Sequence, residues 1–318
     1  MRTFLLRLVA FLILFTGVGE LFFRFIIPAR QSPIVRQEPD YNLMQFDPKA
    51  VSNGLFTSGR WAEQQSRWHI NDLGWNSDLA YKPTEKGKRS VIAIAGDSQI
   101  EGFYVEHHEH VIRRVQSLSG DRIVGYSLAS AGYKLAEYVQ VARYLAHHSI
   151  QPSVFVMYIN RGDFWRSVIE LGGRRHTPSP RFSVKDGVVT MEPGGTYGTS
   201  WYRRLLRRSA IVRYLVFNAR LNPLRQGTAD LGMTRRNRYP EENAASNPVY
   251  ETVARYVVRE IRKALPATRI AFLVDADRRS IRVDESAQPI GTSAVIKRVC
   301  DPPWCLHVDL TTAFTDAR

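Results

Sequence analysis

The residues with the sharpest chemical content are Ile94-Ala95-Gly96-Asp97-Ser98, where an apolar run stops at a glycine and a helical pattern begins. A strand-to-helix turn of this kind lifts a serine hydroxyl to the C-terminal edge of a sheet, where open α/β folds bind ligands. The helix that follows adds backbone N–H groups aimed at developing negative charge, and Gly96 permits the tight turn. A serine so placed could act as a nucleophile, with those N–H groups receiving the charge that develops. Gly-Asp-Ser by itself also fits a purely structural turn, so the surrounding blocks must decide.

The turn continues as Gln99-Ile100-Glu101-Gly102-Phe103-Tyr104-Val105. Upstream stands Ile70-Asn71-Asp72-Leu73-Gly74-Trp75. Downstream come Tyr126-Ser127-Leu128-Ala129-Ser130-Ala131-Gly132-Tyr133, then Gln151-Pro152-Ser153 to Asp163, Asp275-Ala276-Asp277-Arg278-Arg279 and Val308-Asp309-Leu310. In order and spacing these blocks resemble the SGNH/GDSL serine hydrolases, in particular their membrane-anchored members, from about residue 65 onward. The resemblance implies a three-layer α/β fold with a flavodoxin-like parallel sheet, the SGNH hydrolase fold, and Ser98 as nucleophile. It implies oxyanion donors from the backbone of Ser98 and of Ala129, which stands where the family has a glycine. The third block reads Asn160-Arg161-Gly162-Asp163 against the family's Gly-x-Asn-Asp. Gly162 therefore occupies the position of the oxyanion asparagine, and Asn160 is the expected substitute from two residues upstream.

The family's base is a histidine in an Asp-x-x-His block after the fifth strand. Asp309-Leu310-Thr311-Thr312-Ala313-Phe314-Thr315-Asp316-Ala317-Arg318 contains none. The expectation is that this block lies beyond Arg318. The rival is a chain that has lost its base and keeps the fold as a binding or assembly module of the cell envelope. The resemblance implies no cofactor and no metal, and a substrate that is an ester of an envelope carbohydrate or lipid. Hydrolysis and transfer to an acceptor hydroxyl both stay open.

The remaining polar clusters have plainer readings. His107, His108 and His110 open a helix, with His107 and His110 on one face, and a solvated helix start outweighs a metal site. His69 fits packing or the site rim, His147-His148 close a helix where imidazolium suits the dipole, and His176 falls in an insert. His307 and Asp309 stand in the wrong order for the family's pair. Cys300 and Cys305 are too few for structural zinc; a local disulfide and two free thiols remain open.

The elements that must position these residues follow from alternating short apolar runs and helical periodicity, the pattern of a parallel α/β sheet with helices on both faces. The expected strands are Ser90–Ala95, Arg122–Leu128, Ser153–Ile159, Arg269–Val274 and Leu306–Leu310. Val111, Val115 and Leu118 mark one face of a helix. Leu135, Tyr138, Val139, Ala142 and Leu145 mark a second, and Val253, Val257 and Ile261, opened by Asn247-Pro248, a third. An insert at about 164–245 holds a hairpin, Phe182 to Met191, turning at Lys185-Asp186-Gly187. It also holds a basic run from Trp201-Tyr202-Arg203-Arg204-Leu205-Leu206-Arg207-Arg208 to Leu221. Its arginines do not gather on one helix face, so a packed helix is expected rather than one lying on anionic lipid.

Residues 1–28 read as a transmembrane anchor, 29–88 as a stalk and lead-in, and 89–318 as the hydrolase domain. The apolar run covers about 20 residues, enough to span a bilayer core, and shows no small-residue cleavage site. Glu20 and Arg24, four apart, pair near the far interface. Arg2 and Arg7 ahead of the run place the N-terminus inside, with the domain in the periplasm of a bacterial inner membrane. The net charge of +14, from 44 basic and 30 acidic residues, fits an acidic partner, whether an anionic membrane surface, nucleic acid or an acidic polysaccharide, and equally a soluble surface that is simply basic. No zinc finger, phosphate loop or RNA-binding signature accompanies it, so nucleic acid is not expected as a partner.

Overall fold

The computed structural model describes residues 1–84, 89–173, 178–198, 201, 207–221, 244–276 and 290–316. His176, Tyr202–Leu206 of the basic run, and Asp277-Arg278-Arg279 lie outside the described residues.

Helix α1 (Arg2–Phe25) has 24 residues, none of them buried, and is long and apolar enough to cross a membrane. At 1.5 Å per residue it extends ~36 Å, against ~30 Å for a hydrocarbon core. The stretch read as a stalk carries two antiparallel hairpins, β1 (Val35–Glu38) with β2 (Leu43–Phe46) and β3 (Asn53–Ser58) with β4 (Gln64–His69). Their inward residues Phe46, Phe56 and Trp68 form an aromatic cluster with Ile70 and Phe103. The lead-in loop is built on Asn71, whose Oδ1 accepts from the N–H groups of Leu73 and Trp75 and whose Nδ2 donates to the Leu79 carbonyl. Gly74 sits at φ +85°, where an added Cβ would meet the Phe46 carbonyl oxygen at 2.6 Å. Trp75 is thereby turned fully into the main core.

The chain then alternates as expected: β5 (Ser90–Gly96), α2 (Ser98–Glu101), α3 (Val111–Leu118), β6 (Ile123–Ala129), α4 (Leu135–His147), β7 (Val154–Ile159) and α5 (Asp163–Ser167). After β8 (Arg181–Lys185), β9 (Val188–Glu192) and α6 (Ala210–Arg213, extended by a π turn over Tyr214–Asn218) come α7 (Pro248–Ala264), β10 (Arg269–Val274), α8 (Thr292–Val299), β11 (Cys305–Asp309) and α9 (Thr311–Asp316). β8 and β9 pair from Arg181↔Glu192 to Lys185↔Val188, and Asp186 and Gly187 turn at positive φ, as a two-residue hairpin requires.

Five strands form one parallel sheet in the order β11-β10-β7-β5-β6. Counted along the chain and read from the β6 edge, that is second, first, third, fourth, fifth, the flavodoxin-like order. Alternate side chains of β5 feed two cores. Val91, Ala93 and Ala95 face a large cluster with α4, α7 and α8, whereas Ile94 joins Ile100, Ile112, Ala129 and Tyr158 on the opposite face with α2 and α3. The α4 and α7 periodicities are as expected, with Leu135, Tyr138, Val139, Ala142, Leu145, Val253, Val257 and Ile261 all buried. Asn247 caps α7 by accepting from the Val249 N–H at 3.0 Å.

Helix α3 departs from its apolar stripe. Ile112 and Gln116 are buried, while Val111, Val115 and Leu118 face solvent. Gln116 sets this rotation: its amide accepts from Gly125 N–H and donates to Asp121, closing the turn into β6. Gly125 admits Ile112 so closely that a Cβ there would lie 2.5 Å from Ile112 Cγ1.

Cys300 and Cys305 are joined in a disulfide at the start of β11. Breaking it by reduction is expected to lower stability by about 2 kcal/mol, the loop-closure value for so short a ring. Thermal unfolding with and without reductant checks this, and intact thiols in protein isolated without reductant would contradict the bridge.

Candidate functional site

Strand β5 ends at Gly96, where an added Cβ would meet Ile100 Cγ1 at 2.4 Å, so only glycine lets the chain turn directly into α2. Asp97 caps that helix by accepting from the Gln99 N–H at 2.9 Å. Ser98 is its first residue and is exposed to solvent. The hydroxyl therefore stands at the C-terminal edge of the sheet, beside the β5–β7 boundary where the connections change side, the usual ligand crevice of this strand order.

Asn160 enters from the end of β7. Its Nδ2 donates to Asp97 Oδ2 at 2.7 Å, its Oδ1 accepts from Gly162 N–H at 2.8 Å, and its own N–H donates to Asp163 Oδ2 at 2.9 Å. The structure thus brings Asn160 to the serine turn, but through the helix cap and not on Ser98 itself. Gly162, at the expected oxyanion-asparagine position, has no side chain to offer and begins the turn into α5. Asp163 is fully enclosed, and burial pushes its carboxyl well above the usual range. Tyr138 OH donates from below to the Tyr158 carbonyl at 2.9 Å and stands 3.4 Å from Asp163 Oδ2. Tyr158 OH in turn donates to Gln99 Oε1 at 2.8 Å. Three elements, α2, α4 and β7, are locked together under the serine.

Ala129 closes β6 on the other side, its Cα paired with Gly96, and is buried. The next residue, Ser130, donates its N–H to the Gly96 carbonyl at 3.3 Å. The two candidate donors Ala129 and Asn160 therefore flank the serine turn from opposite neighbouring strands.

Glu101, missed at the level of sequence, occupies the buried end of α2. Desolvation pushes its carboxyl up to about 8 against hydrogen bonds from the Ala131 N–H and the Ser130 side chain. Its carbonyl accepts from Asn76 Nδ2 at 2.9 Å. Glu101 hence fastens the serine helix both to the loop after β6 and to the lead-in. Its signal in the sequence is an acid placed between Ile100 and the helix-ending Gly102, three residues after Ser98.

This carboxyl makes stability depend on pH. The folded chain keeps the proton up to about pH 8, while the unfolded chain loses it near the ordinary carboxylate value, so stability falls as pH rises through that window. Glu101→Gln is neutral in both states. It is expected to melt close to the parent near pH 5 and several degrees higher near pH 8, read by thermal unfolding at both values. A pH-independent difference would mean that Glu101 is ionised in the fold.

The histidines are used structurally. His107 Nε2 lies 3.1 Å from Asn76 Oδ1, and His110 Nε2 lies 3.1 Å from the Gly102 carbonyl. Burial depresses both, His110 to about 4, so neutral His110 donates to that carbonyl. No group of three metal-ligating side chains occurs among the described residues. His307 Nε2 meets Ser293 Oγ at 2.9 Å, and that hydroxyl donates to Asp309 Oδ2 at 2.5 Å. His307 and Asp309 lie on β11 and Ser293 near the start of α8. β11 is three strands from β5, roughly 14 Å away at the usual strand spacing, and this serine stands between the histidine and the acid. Among the described residues, no histidine hydrogen-bonds Ser98.

Set against known proteins, the chain matches no family model and no curated sequence. The geometry alone carries the functional argument. What the structure shows is an exposed serine at a helix N-terminus, at the switch point of a 2-1-3-4-5 sheet, with its cap acid held by Asn160 from the end of the adjacent strand.

Proposed function

We propose that this chain carries an SGNH/GDSL-like serine acyl site, tethered by α1 to the outer face of a bacterial inner membrane, acting on an ester of an envelope carbohydrate or lipid. The observation that carries the reading is the Asp97–Asn160 hydrogen bond, which ties the serine turn to β7 at the sheet's switch point. A merely structural Gly-Asp-Ser turn needs no such tie across the crevice. Ser98 attacks the ester carbonyl, and the N–H groups of Ser98 and Ala129 receive the oxyanion. Asn160 is a positioning residue, acting through Asp97. As the family resemblance implies, the base would be the histidine of an Asp-x-x-His block. It takes the Ser98 proton and returns it to the alcohol that leaves as the ester C–O bond breaks. The acyl group then passes from Ser98 to water or to an acceptor hydroxyl. Orientation rests on Arg2 and Arg7 ahead of the apolar run.

A second reading, an envelope binding or assembly module on the same fold, is favoured by Gly162 at the oxyanion position and by the lack of a histidine partner for Ser98 among the described residues. A fluorophosphonate probe separates the two. In a form of the chain extended through an Asp-x-x-His block, the acyl site predicts a covalent adduct on the Ser98 peptide. An unlabelled Ser98 in that folded form would favour the module.

A further inference from the structure

The outer end of α1 does not stand free of the domain. Glu20 accepts from Arg24 Nη2 at 2.7 Å, and also from the N–H groups of Ala210 and Ile211 and from Ser209 Oγ at 2.8 to 3.3 Å. Gly19 lets Ile211 approach so closely that a Cβ there would lie 3.1 Å from Ile211 Cδ1. Phe23 stacks on Tyr214 with ring centroids 3.9 Å apart, and Arg30 N–H donates to Asn218 Oδ1 at 3.0 Å. Residues 209–218 thus run alongside α1 from Gly19 outward, and Asn218 finally reaches Thr57 and Gly59 of the domain.

Depth follows from this pairing. Glu20 lies five residues inside the end of α1 at Phe25, so ~7.5 Å along the axis. If α1 spans the bilayer, whatever is hydrogen-bonded to Glu20 shares its level, where a carboxylate without partners is costly. The start of α6 supplies those partners and is held at the headgroup boundary. Around it gather Arg24, Arg207, Arg208 and Arg213: Arg24 reaches the Arg208 carbonyl, and Arg213 Nη1 donates to the carbonyls of Arg207 and Arg208. Against the single Glu20 this leaves an excess of positive charge at phosphate depth. Leu215 and Leu221 stand 39% and 60% exposed on the same short segment.

We propose that residues 207–221 form a second, interfacial membrane element that sits in an anionic phospholipid leaflet beside α1 and fixes how the domain faces the membrane. Leu215 and Leu221 enter the acyl boundary, while the arginines bind lipid phosphate at the anionic surface. The even spread of arginines, which argued for a packed helix, is what a segment needs when one side lies on a transmembrane helix and the rest faces headgroups.

The proposal rests on α1 being a span, and the experiment tests both separately. The full chain is reconstituted in vesicles of phosphatidylcholine alone or mixed with phosphatidylglycerol. It carries a single environment-sensitive label at Leu215→Cys, Leu221→Cys, Phe15→Cys or Val188→Cys, the last on the distant hairpin. Spin-labelled lipids are expected to quench Leu215 and Leu221 from shallow positions and Phe15 from deep ones, and to leave Val188 bright. Quenching at Leu215 should rise severalfold with phosphatidylglycerol and lose that rise in the Arg207→Glu, Arg208→Glu double variant. Unquenched Phe15 would remove the span itself. Quenched Phe15 with bright Leu215 and Leu221 would overturn the interfacial element alone, as would their protection inside a dimer of the chain. Equal quenching in both lipids would overturn the anionic partner.

Discussion

In a form of the chain extended through an Asp-x-x-His block, Ser98→Ala is expected to lower kcat/KM for p-nitrophenyl acetate by ~10³–10⁶-fold. A serine hydroxyl is a weak nucleophile until a base takes its proton, and among the described residues no histidine hydrogen-bonds Ser98. The 318 residues as they stand are therefore expected to turn over the ester little faster than buffer does. Some rate should survive in Ser98→Ala, because the N–H groups still stabilise charge from attacking water. Asn160→Ala should cost less than the ~10²–10³-fold of a lost oxyanion donor, since its amide holds Asp97 and not the oxyanion. Stopped assays of ester hydrolysis with the four proteins decide the matter. If the 318-residue chain equals the extended one, the base is one of its own histidines. If Ser98→Ala equals its parent, Ser98 is not the nucleophile.

The second large effect concerns stability. Trp75→Ala is expected to cost about 3–5 kcal/mol, lowering the melting temperature on the order of 10 °C. Trp75 is fully buried and meets Tyr133 and Tyr144 edge-on, with centroids 6.2 and 5.9 Å away. It is the plug by which the lead-in is held against α4. Its neighbour Asn76 reaches the Glu101 carbonyl, so loosening the plug also loosens the serine helix. Trp61→Ala is the matched control: that indole is 71% exposed, and its loss should stay within about 0.5 kcal/mol. Thermal unfolding of both variants in one detergent gives the comparison, and equal losses would mean that the lead-in does not share the cooperative core.

How much of this was legible beforehand follows from how local each cause is. Strand β10 keeps its expected bounds, Arg269–Val274, and the other four sheet strands lie within one residue of theirs. Period, caps and turn glycines act over a few residues and need no partner. Asn247 with Pro248 announced α7, and Asp186-Gly187 announced the hairpin, for the same reason. Gly96-Asp97-Ser98 was readable as a strand-to-helix turn because the need for glycine there is local. The bond from Asp97 to Asn160, 63 residues apart in sequence, was not. It exists only because the strand order lays β7 against β5. The burial of Glu101, the seat of Trp75 and the rotation of α3 about Gln116 likewise depend on what packs against each residue. The docking of α6 on α1 joins residues nearly two hundred positions apart through one carboxylate, which no periodicity encodes. Sequence by itself determined the five sheet strands, their parallel alternation with helices and the serine at the turn, but not the two hairpins of residues 35–69 or the helix Thr292–Val299, whose patterns are short and whose partners lie elsewhere in the chain. Tertiary structure alone decided which polar groups meet, because hydrogen bonds and desolvation depend on neighbours that only the assembled sheet provides.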